Sequence, residues 1–398
     1  MLFTPARHEP LADVTWSEAR ARDGIAAIVE ATEADYDAAT GTWPLHPNDR
    51  IPDAEGPQRS MYSGAAGVIW ALGRLATFRA DGARDYGSRT ETLDEELVRQ
   101  PDEPDWPEDN GYLGGRLGAL ALAQRHRDDP ARAELMLELI AGFAEHRARE
   151  LLYGSPGALV LAAAEHARTG DVRFRDVQRP LIPYLLATWE PDGELGVRLW
   201  TQHMRPEWSD RYVGFGHGFA GNVFALLHGP GLRAEQRREV ERDAIATATR
   251  LAVVDSGDAN WPALVGEPLE TKSGIRTQWC HGAAGMVIAL GGLGPDDDEW
   301  SALLLGGGRV TWDAGPLRDR AGLCHGTAGN TYAFLQLFAR TGDEVWLERA
   351  RRFALHALAQ VEREPEPWHS LFTGDLGAAL ALQSCLDADP RFPALGVI

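Results

Sequence analysis

The chain has 398 residues, of which 44% are hydrophobic, and its 39 basic and 59 acidic side chains give a net charge of −20. This composition supports a large core, but the sequence contains no run near the roughly 20 apolar residues that a membrane span needs, and its N-terminus lacks the basic and apolar regions of a secretory signal. The acidity excludes nucleic acid as an expected partner, and three cysteines are too few for a disulfide framework, so we expect a reduced protein in the cytoplasm.

A glycine motif, G-x-x-G followed by small and apolar residues, recurs seven times along the chain. The copies begin at Gly64, Gly115, Gly154, Gly218, Gly282, Gly326 and Gly374. Each interval is long enough for one helical hairpin with its loops, and repeats of this size indicate a fold built from stacked supersecondary units. The nearly uncharged segment after each motif is predicted to be a helix that is buried on most sides.

Longer amphipathic segments with one charged face lie between the glycine motifs, for example at residues 131–150, 233–254 and 345–364. Their helical hydrophobic spacing predicts outer helices with one face in water. The chain therefore alternates outer helix, loop and inner helix. Seven such hairpins in a ring predict an all-α fold, an α/α toroid with two concentric layers, and we expect one toroid domain over residues 1–398.

The glycines are expected to permit tight turns at the start of each inner helix, where a side chain would collide with the neighbouring hairpin. This arrangement places seven loops at one end of the ring, where irregular segments on a rigid scaffold can converge. Four insertions precede inner helices and are predicted to line the same mouth: residues 42–60, 100–110, 190–212 and 255–278.

Histidine stands immediately before the glycine motif in the fourth, fifth and sixth copies, as His217, His281 and His325. Cysteine precedes the last two of these histidines, as Cys280 and Cys324. If the repeats superpose, these residues face one shared space. Two thiolates and an imidazole form a ligand set that is typical of zinc sites with an open fourth position, and the soft sulfur ligands favour zinc over magnesium or calcium.

The motifs WCHGAAG and LCHGTAGNTYAFL, together with GFGHGFAGN and the glycine repeats, resemble the lanthionine synthetase C-like (LanC-like) family over about residues 13 to 387. The resemblance implies an α/α toroid that binds one Zn²⁺ per chain through Cys280, Cys324 and His325. It also implies the addition of a cysteine thiol to dehydroalanine or dehydrobutyrine in a peptide, which forms a lanthionine-type thioether.

Four further residues are candidates for the active site. The resemblance assigns His217 as the general acid that protonates the enolate, and imidazole titrates in the range where a proton can be moved either way. Arg276 is expected to stabilise the enolate oxygen. Glu150 is expected to orient His217. His281 follows a ligand and is expected to contact the substrate or to support the ligands.

The form WCHG has histidine where dedicated lantibiotic cyclases usually carry tyrosine, and it resembles the stand-alone and eukaryotic-type branch, which is associated with glutathione. Eukaryotic relatives carry a basic residue five positions before the second cysteine, whereas this chain has Asp319 there, between Arg318 and Arg320. That difference counts against a dedicated glutathione site. The expected acceptor is a dehydrated peptide or another dehydroamino acid, with an internal cysteine or glutathione as the thiol, and a separate dehydratase is an expected partner.

Two other classes of function remain open from the sequence. A zinc-containing scaffold or receptor that binds a thiol such as glutathione would keep the three ligands but would need neither His217 nor Arg276. Another toroid enzyme, such as a prenyltransferase-like zinc protein or a glycosidase, is disfavoured by the paired Cys-His-Gly turns. A glycosidase would also need two carboxylates across the mouth.

Overall fold

The computed structural model describes residues 1–51, 56–103, 110–205, 208–272 and 274–395, except for the side chains of Met204 and Arg205. In chain order its helices are α1 (Glu18–Ala34), α2 (Ala65–Arg74), α3 (Gly87–Arg99), α4 (Arg116–His126), α5 (Pro130–Ala141), α6 (Ser155–Thr169), α7 (Val172–Asp176), α8 (Gln178–Ala187), α9 (Phe219–His228), α10 (Ala234–Leu251), α11 (Ala283–Leu290), α12 (Asp298–Ala314), α13 (Thr327–Thr341), α14 (Glu344–Arg363) and α15 (Asp375–Asp387). None of these described helices has both the length and the apolar character needed to cross a membrane.

The helices form two layers. The inner helices, each starting immediately after the first glycine of one motif, are α2, α4, α6, α9, α11, α13 and α15. Each inner helix packs against the next, and α15 packs against α2, so the described residues close a complete ring. The other helices pack on the outside of this ring, with α7 and α8 together taking one outer position. The predicted α/α toroid is therefore confirmed.

Short antiparallel hairpins interrupt the helical pattern, which the prediction of an all-α fold did not include. Within the described residues they are β1 (Glu190–Asp192) with β2 (Val197–Leu199), β3 (Gln202–Arg205) with β4 (Trp208–Asp210), and β5 (Val253–Asp255) with β6 (Asp258–Asn260). The first two hairpins lie in the insertion at residues 190–212, and the third overlaps the start of the insertion at 255–278. Strands of three or four residues are too short to show an alternating hydrophobic pattern in the sequence.

The predicted outer helix at residues 131–150 is shorter than expected. Helix α5 ends at Ala141, and Gly142 forms its C-cap. The following residues turn back towards the ring, so that Glu150 belongs to the loop before α6 and is completely buried. A charge that could have been a solvated helix end is therefore an interior group, and it needs a partner.

The paired glycines are required mainly by the turn of their own loop. A Cβ atom on Gly154 would lie 1.4 Å from the carbonyl oxygen of Ala148, and one on Gly329 would lie 1.9 Å from that of Leu323. Each oxygen belongs to a residue six positions earlier, where the loop folds back over the start of the inner helix. The closest collision is thus within one hairpin, whereas the sequence suggested the neighbouring hairpin.

Backbone hydrogen bonds link the turns of successive hairpins around the ring axis. The residues two positions before the motif glycines donate their N–H groups to equivalent carbonyls of the next copy: Gly216 to Cys280 (3.4 Å), Cys280 to Cys324 (3.3 Å), Cys324 to Phe372 (2.8 Å), Phe372 to Tyr62 (3.1 Å) and Tyr62 to Leu113 (2.9 Å). Cys280 and Cys324 are consequently neighbours in this series, although 44 positions separate their numbers in the chain.

Candidate metal centre and active site

The three predicted metal ligands come together in the turns before α11 and α13. The ligand atoms of Cys280, Cys324 and His325 all lie within 4.8 Å of one another, with both cysteines buried and the histidine half-buried. Two ligand atoms of a tetrahedral zinc ion, bound at about 2.0–2.3 Å, lie about 3.5–3.8 Å apart. The three residues therefore fit a single zinc ion after adjustments of up to about 1 Å.

The two sulfurs are close enough to affect each other's protonation. The neighbouring Cys324 lowers the pKa of Cys280 well below its usual value, against the opposing effect of burial, and His281 and His325 act in the same direction. Burial raises the pKa of Cys324, and the charge of Cys280 raises it further. The two buried sulfurs compete for one proton, and the imidazole of His325 lies beside them. A bound dication would stabilise the deprotonated form of both thiols.

The loop that carries Cys280 is fixed by a side chain from β6. The Asn260 amide oxygen accepts the backbone N–H of Ala283, the first residue of α11, at 2.7 Å, and its nitrogen donates to the carbonyl of Arg276 at 3.1 Å. This support is needed because Gly282 has a φ of +92°, unlike the other glycines at this position. The Asn260 side chain therefore supplies the N-terminal capping hydrogen bond of α11, which the N-cap residue Gly282 does not provide.

A cavity of about 720 Å³ contains His217, Arg276 and His281 in its lining. Its remaining wall comes from the insertions at 190–212 and 255–278, including Trp208, Tyr212, Ala263, Leu264, Glu267, Glu270, Thr271 and Lys272. The cavity has the size of a small-molecule or peptide side-chain site. For these two insertions the structure agrees with the expectation that they line the mouth. Parts of the other two, residues 52–55 and 104–109, lie outside the described residues, as do 206–207 and 273.

His217 is paired with the buried Glu150. The Nδ1 atom of His217 lies 3.0 Å from a Glu150 carboxylate oxygen, and the backbone N–H groups of Leu152 and Tyr153 donate to the same carboxylate at 3.1 and 2.5 Å. Partial burial lowers the pKa of His217, but the hydrogen bond and charge of Glu150 outweigh it, so the pKa is raised above its usual value. Because Nδ1 is engaged, Nε2 is the nitrogen left to face a substrate.

His281 occupies a different environment in the same cavity. Its ring centroid lies 6.0 Å from that of His217 and 5.8 Å from that of Tyr212, and the side chain is almost fully buried. Burial lowers the pKa of His281 to about 4, and no group in the described part of the chain hydrogen-bonds its Nδ1 atom. His281 is therefore a neutral imidazole near pH 7, and its unpartnered Nδ1 atom is buried.

The basic residues near the site have distinct surroundings. Arg276 is half-buried in the cavity wall, and among the described residues its guanidinium has no hydrogen-bonding or ion-pairing partner. Arg318 instead donates to the backbone carbonyl of His8 at 2.8 Å, while Asp319 and Arg320 are exposed. Arg276 is thus a cation that can meet a substrate in this cavity, whose lining also includes Lys272.

Sequence analysis missed Tyr62, which stands two positions before Gly64, in the register that Cys280 and Cys324 occupy in their copies. Its side chain lies beside Cys324, where it opposes the rise that burial causes in the pKa of that thiol. The ring of Tyr62 is held by stacking on Phe372, with centroids 5.0 Å apart. Aligning all seven copies on the residue two before the glycine would have identified Tyr62 as a neighbour of the metal ligands.

Comparisons with known proteins agree with this architecture. The sequence profile of the lanthionine synthetase C-like protein family matches residues 58–396. The LanC-like protein GCL1 of Arabidopsis thaliana is 29% identical over 71% of this chain and 69% of its own length. The glutathione S-transferase LANCL1 of Danio rerio is 29% identical over 72% of this chain and 74% of its own. The solved structure of nisin cyclase superposes with a TM-score of 0.67 at 17% identity, covering 91% of this chain and 94% of that protein.

Proposed function

This chain belongs to the lanthionine synthetase C-like family, and we propose that it adds a cysteine thiol to a dehydroalanine or dehydrobutyrine residue to form a thioether. The observation that carries the proposal is the contact between His217 and the buried Glu150, which are 3.0 Å apart. His217 lines the cavity together with Arg276 and His281. A thiol-binding site alone has no use for a buried carboxylate that raises the pKa of an imidazole.

In the proposed reaction Cys280, Cys324 and His325 hold one Zn²⁺, which when bound supplies the acidity that deprotonates a thiol near neutral pH. The substrate sulfur forms a bond to the β-carbon of the acceptor, and the C=C electron pair moves onto the α-carbon and its carbonyl. His217 delivers the proton from Nε2 to the α-carbon. The thiol proton leaves to solvent and His217 is reprotonated, so the net change is addition of S–H across the double bond.

The remaining residues bind and orient. Arg276 can donate to the developing enolate oxygen, because its guanidinium lies in the cavity wall and forms no ion pair with any carboxylate of the described residues. Glu150 fixes the tautomer and orientation of His217. His281 lines the same cavity as a neutral imidazole and can contact the substrate there.

Two thiols fit the proposal. An internal cysteine of the acceptor peptide would give a ring, as expected of a cyclase. Glutathione would give an adduct, and the name of the zebrafish relative favours this second thiol. In either case the dehydroamino acid would come from a separate dehydratase, and the thiols would have to stay reduced, as in the cytoplasm.

The test uses zinc-loaded protein and two peptides that contain dehydroalanine, one with an internal cysteine and one without. Glutathione is added to the second peptide, and its adduct is detected by mass spectrometry. Internal addition leaves the mass unchanged, so it is followed by the loss of alkylatable thiol. Rates above the protein-free background support the proposal. Tight thiol binding without acceleration for either peptide would instead identify the protein as a thiol-binding scaffold.

A further inference from the structure

The N-terminal segment, residues 2–9, crosses both loops that carry the metal ligands. The loop before α11 is bound through the Thr4 hydroxyl, which accepts the N–H of Ile275 at 2.8 Å, and through His8, whose Nε2 lies 3.1 Å from the Thr277 hydroxyl. The loop before α13 is bound through the Arg7 carbonyl, which accepts the Arg318 N–H at 2.9 Å. The segment therefore joins the turn of Cys280 to the turn of Cys324 and His325.

A hydrogen-bonded series leads from this segment to a ligand sulfur. The Nη2 atom of Arg7 donates to the Gln278 amide oxygen at 2.8 Å, and the Gln278 amide nitrogen donates to the sulfur of Cys280 at 3.0 Å. A guanidinium can only donate, so it holds the amide oxygen on its own side and directs the NH₂ group at the sulfur. Gln278 is buried, so water does not compete for these bonds.

We propose that Gln278 is a positioning residue for the metal ligand Cys280, and that Arg7 acts on the metal centre through Gln278. The proposal rests on the proposed zinc site. A donor to a ligand sulfur fixes the direction of that ligand and stabilises its charge, and such outer contacts commonly change metal affinity. Arg7 lies outside residues 58–396, so the matched part of the family profile does not contain this half of the series.

The first test measures zinc affinity by competition with a chromophoric chelator. Gln278→Leu is expected to weaken zinc binding by about 10- to 100-fold. Gln360→Leu is the matched control, because Gln360 is an equally buried glutamine that donates to Glu9 of the same segment at 2.8 Å but does not contact a ligand. Equal zinc affinity in Gln278→Leu and wild type would overturn the role of Gln278.

A double-mutant cycle tests whether Arg7 acts through Gln278. Arg7→Met keeps most of the side-chain stem and is expected to weaken zinc binding less than Gln278→Leu does. The double variant is expected to bind zinc as Gln278→Leu does, since Arg7 then has no donor to direct. Additive losses would mean that Arg7 acts on the site directly, which contradicts the proposed series. Arg7→Met also provides the measurement if Gln278→Leu does not fold.

Cobalt substitution gives a readout that a change in fold stability would not mimic. In Co²⁺-loaded protein, loss of a hydrogen bond to sulfur raises the energy of its lone pairs and moves the sulfur-to-metal charge-transfer band to longer wavelength. We expect this shift in Gln278→Leu and not in Gln360→Leu. An unshifted band contradicts the inference alone, whereas a wild type that binds neither metal contradicts the proposed function as well.

Discussion

The imidazole of His217, in the turn before α9, reaches the carboxylate of Glu150, in the loop before α6, so that the proposed acid and the carboxylate that raises its pKa come from two different hairpins. This contact joins two adjacent hairpins of the ring, as does the backbone hydrogen bond between the turns of Cys280 and Cys324. Both pairs exist only because the loops of neighbouring copies converge on one axis.

His217→Asn should separate catalysis from binding. Zinc content and thiol affinity should stay close to wild type, because His217 is not one of the proposed metal ligands. Thioether formation should slow by on the order of 10²–10⁴-fold, the usual contribution of a positioned general acid. Zinc analysis, thiol titration and initial rates on one preparation provide the measurement. A rate equal to wild type would remove His217 from the mechanism.

Glu150→Gln should shift the pH dependence of the rate. An acid is active when protonated, so the rate falls as pH rises through the pKa of His217. Glu150 raises that pKa, and the amide would lose this effect, so the falling limb should move to lower pH. Rates measured from about pH 5.5 to 8.5 should show a larger loss at the alkaline end.

Glu165→Gln is the matched control for that experiment, because Glu165 is another completely buried glutamate, paired with Arg168 on α6. Its replacement is expected to leave the alkaline limb where it is. If both variants kept the wild-type limb, Glu150 would not set the protonation of His217.

Cys324→Ala should largely abolish zinc binding, since one thiolate and one imidazole would remain as protein ligands. Cys385→Ala is the control: Cys385 is equally buried and free, but it lies on α15 away from the ligand group. Metal analysis of both proteins after dialysis against a weak chelator should show about one zinc per chain only in wild type and Cys385→Ala. Full occupancy in Cys324→Ala would contradict the ligand assignment.

The chain is expected to unfold as one unit despite its length. The contacts of α15 with α2 and with α1 join the last hairpin to the first, so opening one hairpin exposes two neighbours. Circular dichroism and tryptophan fluorescence should therefore report the same denaturant midpoint. Limited proteolysis should yield no stable fragment, and a folded half cut within residues 190–212 would indicate two domains.

The sequence determined the repeat, and with it the architecture, because the steric requirement is local. The second glycine of each motif, such as Gly329, must leave room for the carbonyl of the residue six positions earlier, and that condition holds in every copy. The Cys-His pairs were visible for the same reason, since their register against the glycine is fixed within a few residues. The end of α5 was misplaced because a run of helix-forming residues continues beyond Gly142.

Only the tertiary structure decided which of these side chains meet. Glu150 was a candidate on register alone, and its burial and its contact with His217 depend on how two hairpins pack. The series from Arg7 through Gln278 to Cys280 joins residues 271 positions apart in its first step, and no local pattern in the chain predicts it. Such contacts arise when a closed ring brings distant loops to one axis, so their geometry is set by the packing of the whole toroid and not by the residues beside them.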